Sequence, residues 1–172
     1  MFAIHTPWTT MRRAVHMAAA GRWPEADATG TLTLVFDDRH RRRVRLTTDD
    51  GADLLLDLPR AVALADGDGL LLDDGEWLRV AAAPEPLLEV VAVSPQHLAR
   101  LAWHIGNRHL QAEPFEDRIR IRPDHVVAEM LRGLGAEVRD VTQPFQPEGG
   151  AYDQKSDPGS HAGSQQAGHT HA

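Results

Sequence analysis

The chain contains no cysteine. That excludes disulfide stapling and any thiolate-bound metal site, and it fits a reducing compartment. Long hydrophobic runs are missing too. Nothing approaches the roughly 20 apolar residues a helix needs to cross a bilayer, so no membrane attachment is expected. The stretch AVHMAAAG at 14–21 is broken by His16 and short for the apolar core of a secretory signal, and the cytoplasm is the expected location. There is no glycine-rich phosphate loop, no nucleophile motif and no H-E-x-x-H pair, and the chain is not read as an enzyme. Internal repeats are absent. Positive charge is in deficit: 18 Lys and Arg against 25 Asp and Glu give a net charge of −7 with histidines neutral. That balance disfavours nucleic-acid partners, which lean on a positive surface.

What is present suffices for a packed core. The 172 residues, 42% of them hydrophobic, allow one domain or two small ones. In TLTLVF (31–36) threonine alternates with apolar residues, the period of a half-buried strand. Val44 and Leu46, then Leu54, Leu56 and Leu58, continue the alternation. Asp49-Asp50-Gly51, Asp66-Gly67-Asp68-Gly69 and Asp73-Asp74-Gly75 are turn signals at short spacing. Residues 1–83 therefore read as a β-rich barrel or sandwich, opening with a strand at Phe2–His5 and then a short helix or loop.

AAAPEP (81–86) reads as a linker. Beyond it, Leu87 to Val93 is an apolar strand. Ser94-Pro95 opens a helix, a good N-cap followed by proline in the first turn. Leu98, Leu101, Ala102 and Ile105 lie on one face, and Gly106-Asn107 stops it. Strands are expected near Gln111–Phe115 and around Ile119 and Ile121. Asp124 caps a second helix with Val127, Met130, Leu131 and Leu134 on its apolar face, ended by Gly133 and Gly135. Val138 and Val141 mark a last strand. The order β-α-β-β-α-β is the ferredoxin-like unit, over residues 87–147. The whole is an α+β protein. From Gln146 the composition turns to Pro, Gly, Ser, Gln, Asp and His, which predicts disorder and a histidine-bearing tail over 148–172.

Ten histidines are the chemistry that stands out, since imidazole is the commonest neutral metal ligand near pH 7. His161, His169 and His171 lie in the tail. His169 and His171 are two apart, so an extended segment points both to one side. Such soft-walled nitrogen sites suit zinc, copper, nickel or iron, with affinity alone favouring copper, and they load and unload readily. A second group is Trp103-His104-Ile105-Gly106-Asn107-Arg108-His109, at and beyond the end of the first predicted helix, where the helix dipole favours a cation. His97 and His104 share a stripe but are about 10 Å apart along the axis, too far to chelate one ion together. Protonation of imidazoles weakens metal binding as pH falls.

LARLAWHIGNRH, IRPDHVVAEMLRGLGAEV and PFQPEGGAY, with DDRHRRRVRL, LLLDLPRAVALADGDGLLLDDG and AAAPEPLLEV before them, resemble the urease accessory protein UreE family. The resemblance spans roughly residues 30–152. It implies a nickel metallochaperone of urease maturation. Its N-terminal β-domain would handle partner proteins, and its C-terminal ferredoxin-like domain would dimerise and bind metal. The histidine ending GNRH, here His109, is implied as the central ligand, shared with its copy across the two-fold axis of a homodimer, with tail histidines completing the set. It further implies delivery to a urease accessory GTPase and to the urease apoprotein complex. Where some members carry H-x-H, this chain has Pro123-Asp124-His125, which leaves His125 as a peripheral candidate.

The basic run Arg39-His40-Arg41-Arg42-Arg43 is read either as a solvated hairpin edge or as a contact for an acidic partner. Two further readings of the whole remain open at this point. One is a metal-dependent hydrolase using His109, His104 and Asp124. The other is a general divalent-metal buffer with no delivery role.

Overall fold

A computed structural model describes residues 11–149. The predicted strand at Phe2–His5 and the tail histidines His161, His169 and His171 lie outside the described residues. Two separate apolar cores organise the rest.

The first core belongs to six strands: β1 (Arg12–Ala18), β2 (Ala28–Leu34), β3 (His40–Thr47), β4 (Asp53–Ala63), β5 (Gly69–Leu72) and β6 (Trp77–Ala82). They form one sheet in the order β2-β6-β5-β1-β4-β3. The β1/β4 and β2/β6 pairs are parallel, and the others are antiparallel. The alternation read at Leu54, Leu56 and Leu58 places all three in the core with Ala14, Leu32, Leu70, Leu78 and Val80. The sheet curls until its ends meet. Asp49, in the β3–β4 turn, donates its N–H to Thr31 O at 3.0 Å. Its carboxylate accepts from Thr33 N at 2.9 Å and from Thr33 Oγ1 at 2.6 Å. One curled sheet, drawn toward closure, thus answers the barrel side of the expected barrel or sandwich. A strand, not a helix or loop, occupies residues 12–18, because β4 on one side and β5 on the other supply its hydrogen bonds. Gly69 is obligatory: a Cβ there would meet the Trp23 ring at 2.4 Å, and that ring stacks on Trp77 and donates its Nε1–H to Gly67 O.

The second core lies between a four-stranded sheet and two helices. Its elements are β7 (Pro84–Val91), α1 (Pro95–Gly106), β8 (Ala112–Pro114), β9 (Arg118–Ile121), α2 (His125–Gly133) and β10 (Glu137–Pro144). The sheet order is β10-β7-β9-β8, antiparallel throughout, which is the β-α-β-β-α-β arrangement read in the sequence. Leu88, Val90, Ile119 and Ile121 meet Leu101, Ile105, Val127 and Leu131 in this core. Both helices start as their caps predict. The Ser94 hydroxyl accepts from His97 N at 3.1 Å, and the Asp124 carboxylate accepts from Val127 N at 3.0 Å.

Two expectations need correction. AAAPEP is not a linker: only Ala83 separates β6 from β7, and Pro84 and Pro86 pair with Pro144 and Thr142 of β10. On its other side β7 meets β9 only from Leu88 onward, so these prolines deprive no ladder of a donor on that flank. Nor does order end at Gln146. The Gln146 Oε1 accepts from Arg39 Nη1 at 2.6 Å and from Asp66 N at 3.3 Å. Two residues on, Glu148 N donates to Ala112 O at 2.8 Å.

The 3-10 turn Phe36–Asp38 helps to join the two sheets. Phe36 N donates to Glu85 Oε1 at 2.8 Å, and its ring packs edge-on to Phe145 at 5.4 Å between centroids. The Asp37 carboxylate pairs with Arg122. Arg39 follows the turn and is buried, 2% exposed.

Candidate metal centre

The site begins where α1 stops. The helix closes with hydrogen bonds from Asn107 N to Trp103 O, Arg108 N to Ile105 O and His109 N to Gly106 O. The Arg108 side chain caps His104 O at 3.0 Å. The chain then turns left-handed, not at the expected Gly106-Asn107, but at His109, with φ 54°. Among the described residues, His109 is the one non-glycine with positive φ. That conformation costs an L-residue roughly 1–2 kcal/mol, and backbone strain of this kind concentrates at functional positions. The His109 side chain is exposed at the negative end of the α1 dipole, where a cation is favoured.

His109 lines an open hollow together with Leu110, Gln111, Ile121, Arg122, Pro123 and Asp124. The structure therefore brings His109 and Asp124 to one place. One Asp124 oxygen is engaged in capping α2. His125 is the first residue of α2 and exposed, so it sits at the positive end of a helix dipole, which disfavours a cation. His104 is half-buried, its ring edge-on to Trp103 at 4.9 Å. Among the described residues no three His, Asp or Glu side chains converge on a common point. The described residues thus offer isolated imidazoles rather than a closed cage.

His97 is used otherwise. Its Nδ1 accepts from Val93 N at 3.2 Å, and its Nε2 lies 3.1 Å from Leu134 O. A carbonyl oxygen only accepts, so Nε2 carries the proton and the ring is neutral. Both nitrogens are spent on tying the start of α1 to the end of α2.

Two features escaped the sequence reading. The first is an exposed apolar stripe on α1, Ala99, Ala102, Trp103 and Gly106 at i, i+3, i+4 and i+7, beside the core-facing Leu98, Leu101 and Ile105; Ala102, expected on the core face, is exposed on this one. Trp103 is 65% exposed. Its spacing was the available signal. The second is the role of Arg39, which the sequence places in a basic run that is either a solvated hairpin edge or a contact for an acidic partner. Its Nη1 donates to Leu64 O at 3.2 Å and to Gln146 Oε1 at 2.6 Å, and its Nη2 donates to Phe145 O. Burial pushes the guanidinium below its ordinary range, while the charges of Glu85, Asp66, Glu113 and Asp68 push it back up. Nothing in RHRRR distinguishes Arg39 from its neighbours. The rest of the run does lie on an edge strand, β3, where Arg43 and Arg45 meet Asp57 and Asp53 at 3.5 and 2.6 Å.

Comparison with known proteins separates the same two halves. A family model described as UreE urease accessory protein, N-terminal domain, matches residues 11–83, and one described as its C-terminal domain matches residues 85–172. The chain belongs to the UreE family. Among similar proteins, the urease accessory protein UreE of Chelativorans sp. (strain BNC1) is 56% identical over 141 residues, 82% of this chain and 87% of that protein. The one of Rhodopseudomonas palustris (strain HaA2) is 53% identical over 142 residues, 83% of this chain and 66% of the relative. That of Beijerinckia indica subsp. indica is 43% identical over 162 residues, covering 94% and 88%. This chain therefore spans about two thirds of the R. palustris relative. In UreE terms the seam between the two family domains falls at residue 84, where β7 begins. His109 and its hollow, His125 and the Trp103 stripe all belong to the UreE C-terminal domain.

Proposed function

We propose that this chain is a nickel metallochaperone in urease maturation. It holds the ion between two copies of His109 in a homodimer and passes it to a urease accessory GTPase and the urease apoprotein. The observation that carries this reading is His109: an exposed imidazole, held in a strained left-handed turn at the cation-favouring end of α1. A strained, solvent-facing histidine without a structural bond is paid for by function.

The remaining ligands follow from chemistry. One imidazole binds a divalent ion weakly, and a two-fold axis beside His109 doubles it. The exposed Ala99, Ala102, Trp103 and Gly106 stripe supports this, since it is the apolar face that a second copy would cover. The tail histidines supply further nitrogens. Its root is close: Glu148 N bonds Ala112 O, three residues from His109. From Gly149 to His161 is twelve residues, a maximal reach of roughly 40 Å. Nitrogen ligands with open positions suit nickel while also accepting zinc or copper, and a sparse set surrenders its ion readily. His125 is a peripheral ligand at most, and Arg41, Arg42 and Arg43 on the β3 edge are a contact for an acidic partner. The protein carries cargo in the cytoplasm and performs no catalysis.

Calorimetric nickel titration tests this. The full chain should bind with higher affinity or stoichiometry than a chain with His161, His169 and His171 changed to alanine. The latter should retain one site per dimer. His109→Ala in that background should remove it. Equal binding with and without His109 would overturn the assignment.

A further inference from the structure

We infer that β3 takes up a partner by strand addition: an extended segment in which acidic and apolar residues alternate pairs along its free edge. The inference deepens the reading of Arg41, Arg42 and Arg43 as a contact for an acidic partner, and it rests on that reading.

The two edges of the curled sheet differ. β2 is stitched to its surroundings: Asp49 N reaches Thr31 O, Thr33 N reaches Asp49 Oδ1, and Ala83 N reaches Leu34 O. β3 (His40–Thr47) is the other edge. Among the described residues its backbone bonds only to β4, apart from His40 O, which the strand's own Arg41 Nη1 meets at 3.1 Å. That leaves a row of donors and acceptors, on a strand of eight residues without proline, open to another strand.

The side chains select which strand fits. Val44 and Leu46 pack on the core yet remain only half-buried, and apolar residues of an added strand would cover them. Arg43 and Arg45 alternate with them on the outer face and are exposed. An acidic residue opposite each makes a favourable cross-strand pair. Their present partners do not saturate them. Arg13 and Arg43 share Asp57, Arg45 meets Asp53, Arg41 meets Asp38, and Arg42 joins no ion pair among the described residues. Five guanidiniums thus face three carboxylates, a local positive excess in a chain of net charge −7. A second copy of β3 does not fit. Antiparallel pairing about Arg43, Val44 or Arg45 sets arginine opposite arginine, which is destabilising. The charges that repel a copy attract an acidic strand.

The probe is a fluorescein-labelled octapeptide of alternating glutamate and valine, titrated into the full chain by fluorescence anisotropy. Two further versions carry backbone N-methyl groups, one on the glutamates and one on the valines. In a strand pair only one of these two sets points its N–H groups at β3. We expect the unmodified peptide and one methylated version to bind, and the other version to bind about tenfold more weakly or worse. Amide hydrogen exchange within residues 40–47 should slow when the peptide is added. Arg42→Glu with Arg43→Glu should weaken binding about tenfold, and a lysine–valine peptide should not bind. The methylated peptides decide on the native chain, whatever the fate of the variant. Equal binding of both, with exchange in β3 unchanged, would overturn strand addition and leave the acidic-contact reading standing. No binding of any glutamate peptide would overturn both. Tighter binding of an oligouridylate, lost with the same two arginines, would assign the edge to nucleic acid and overturn the inference.

Discussion

Helix α1 has a histidine near each end, and the two are placed in opposite ways. At the N-terminal end His97 is half-buried, neutral, and bonded through both ring nitrogens to Val93 N and Leu134 O. Beyond the C-terminal end His109 is exposed and strained, with no hydrogen bond to its ring among the described residues. The first stabilises the fold and has no lone pair left for an ion. The second costs stability and keeps its lone pairs available. Residue type alone does not make a ligand; the backbone around it decides.

The sharpest way to break this contrast is to exchange the losses. His109→Ala, with the tail histidines also changed, should abolish measurable nickel binding, and His97→Ala should leave it unchanged, both by calorimetry. Next comes oligomeric state. Trp103→Ala on the exposed stripe should move the chain from dimer toward monomer at micromolar concentration in sedimentation velocity, and nickel stoichiometry should fall in step. A monomer that still binds one ion tightly would sink the shared-site reading.

Stability should then run the other way. His97→Ala leaves Val93 N and Leu134 O without partners and should cost about 1–3 kcal/mol in urea denaturation. His109→Gly relieves the left-handed turn and should add about 1 kcal/mol while abolishing the site. If His109→Gly destabilises, the strain argument is wrong. The smallest effect is acid sensitivity, and it belongs to neither histidine. The Arg13 guanidinium, bonded to Asp57 at 2.5 Å, holds that carboxyl below the usual carboxylate range, with Arg43 assisting. A depressed carboxyl contributes stability above its unfolded value near 3.8, and that contribution is lost as pH falls through the lower folded value. Asp57→Asn should therefore lower the urea midpoint slightly at pH 7 and flatten its fall between about pH 4 and pH 2, where the two proteins converge.

Local signals were legible wherever local physics dominates. Ser94 and Asp124 announce their helices because a cap bonds within three residues. Leu54, Leu56 and Leu58 announce a strand because one face is buried. The β-α-β-β-α-β order followed from those periods. What stayed hidden depends on distant partners. β1 is a strand because β4 and β5 flank it, although its residues look helical or irregular. Pro84 and Pro86 suggest a linker until β10 is seen to pair with them. Arg39 looks like surface until Phe145 and Gln146 arrive from more than a hundred residues away. At the candidate site, GNRH pointed to His109, but the left-handed turn and the neighbouring Asp124 are products of how α1 and α2 end.

The parallel pairing of the curled sheet has a kinetic consequence. Arg12 partners Leu54, and Ala28 partners Trp77, so both contacts close long loops before any hydrogen bond rewards them. During synthesis the N-terminal strands must wait, with unpaired edges, until β6 has emerged. The C-terminal sheet also closes long loops, Leu88 to Ile121 and Pro84 to Pro144, but its two helices form from local contacts and can cover the strands early. Aggregation during refolding is therefore expected to start in the first half of the chain, at β2 and β1, well away from His109.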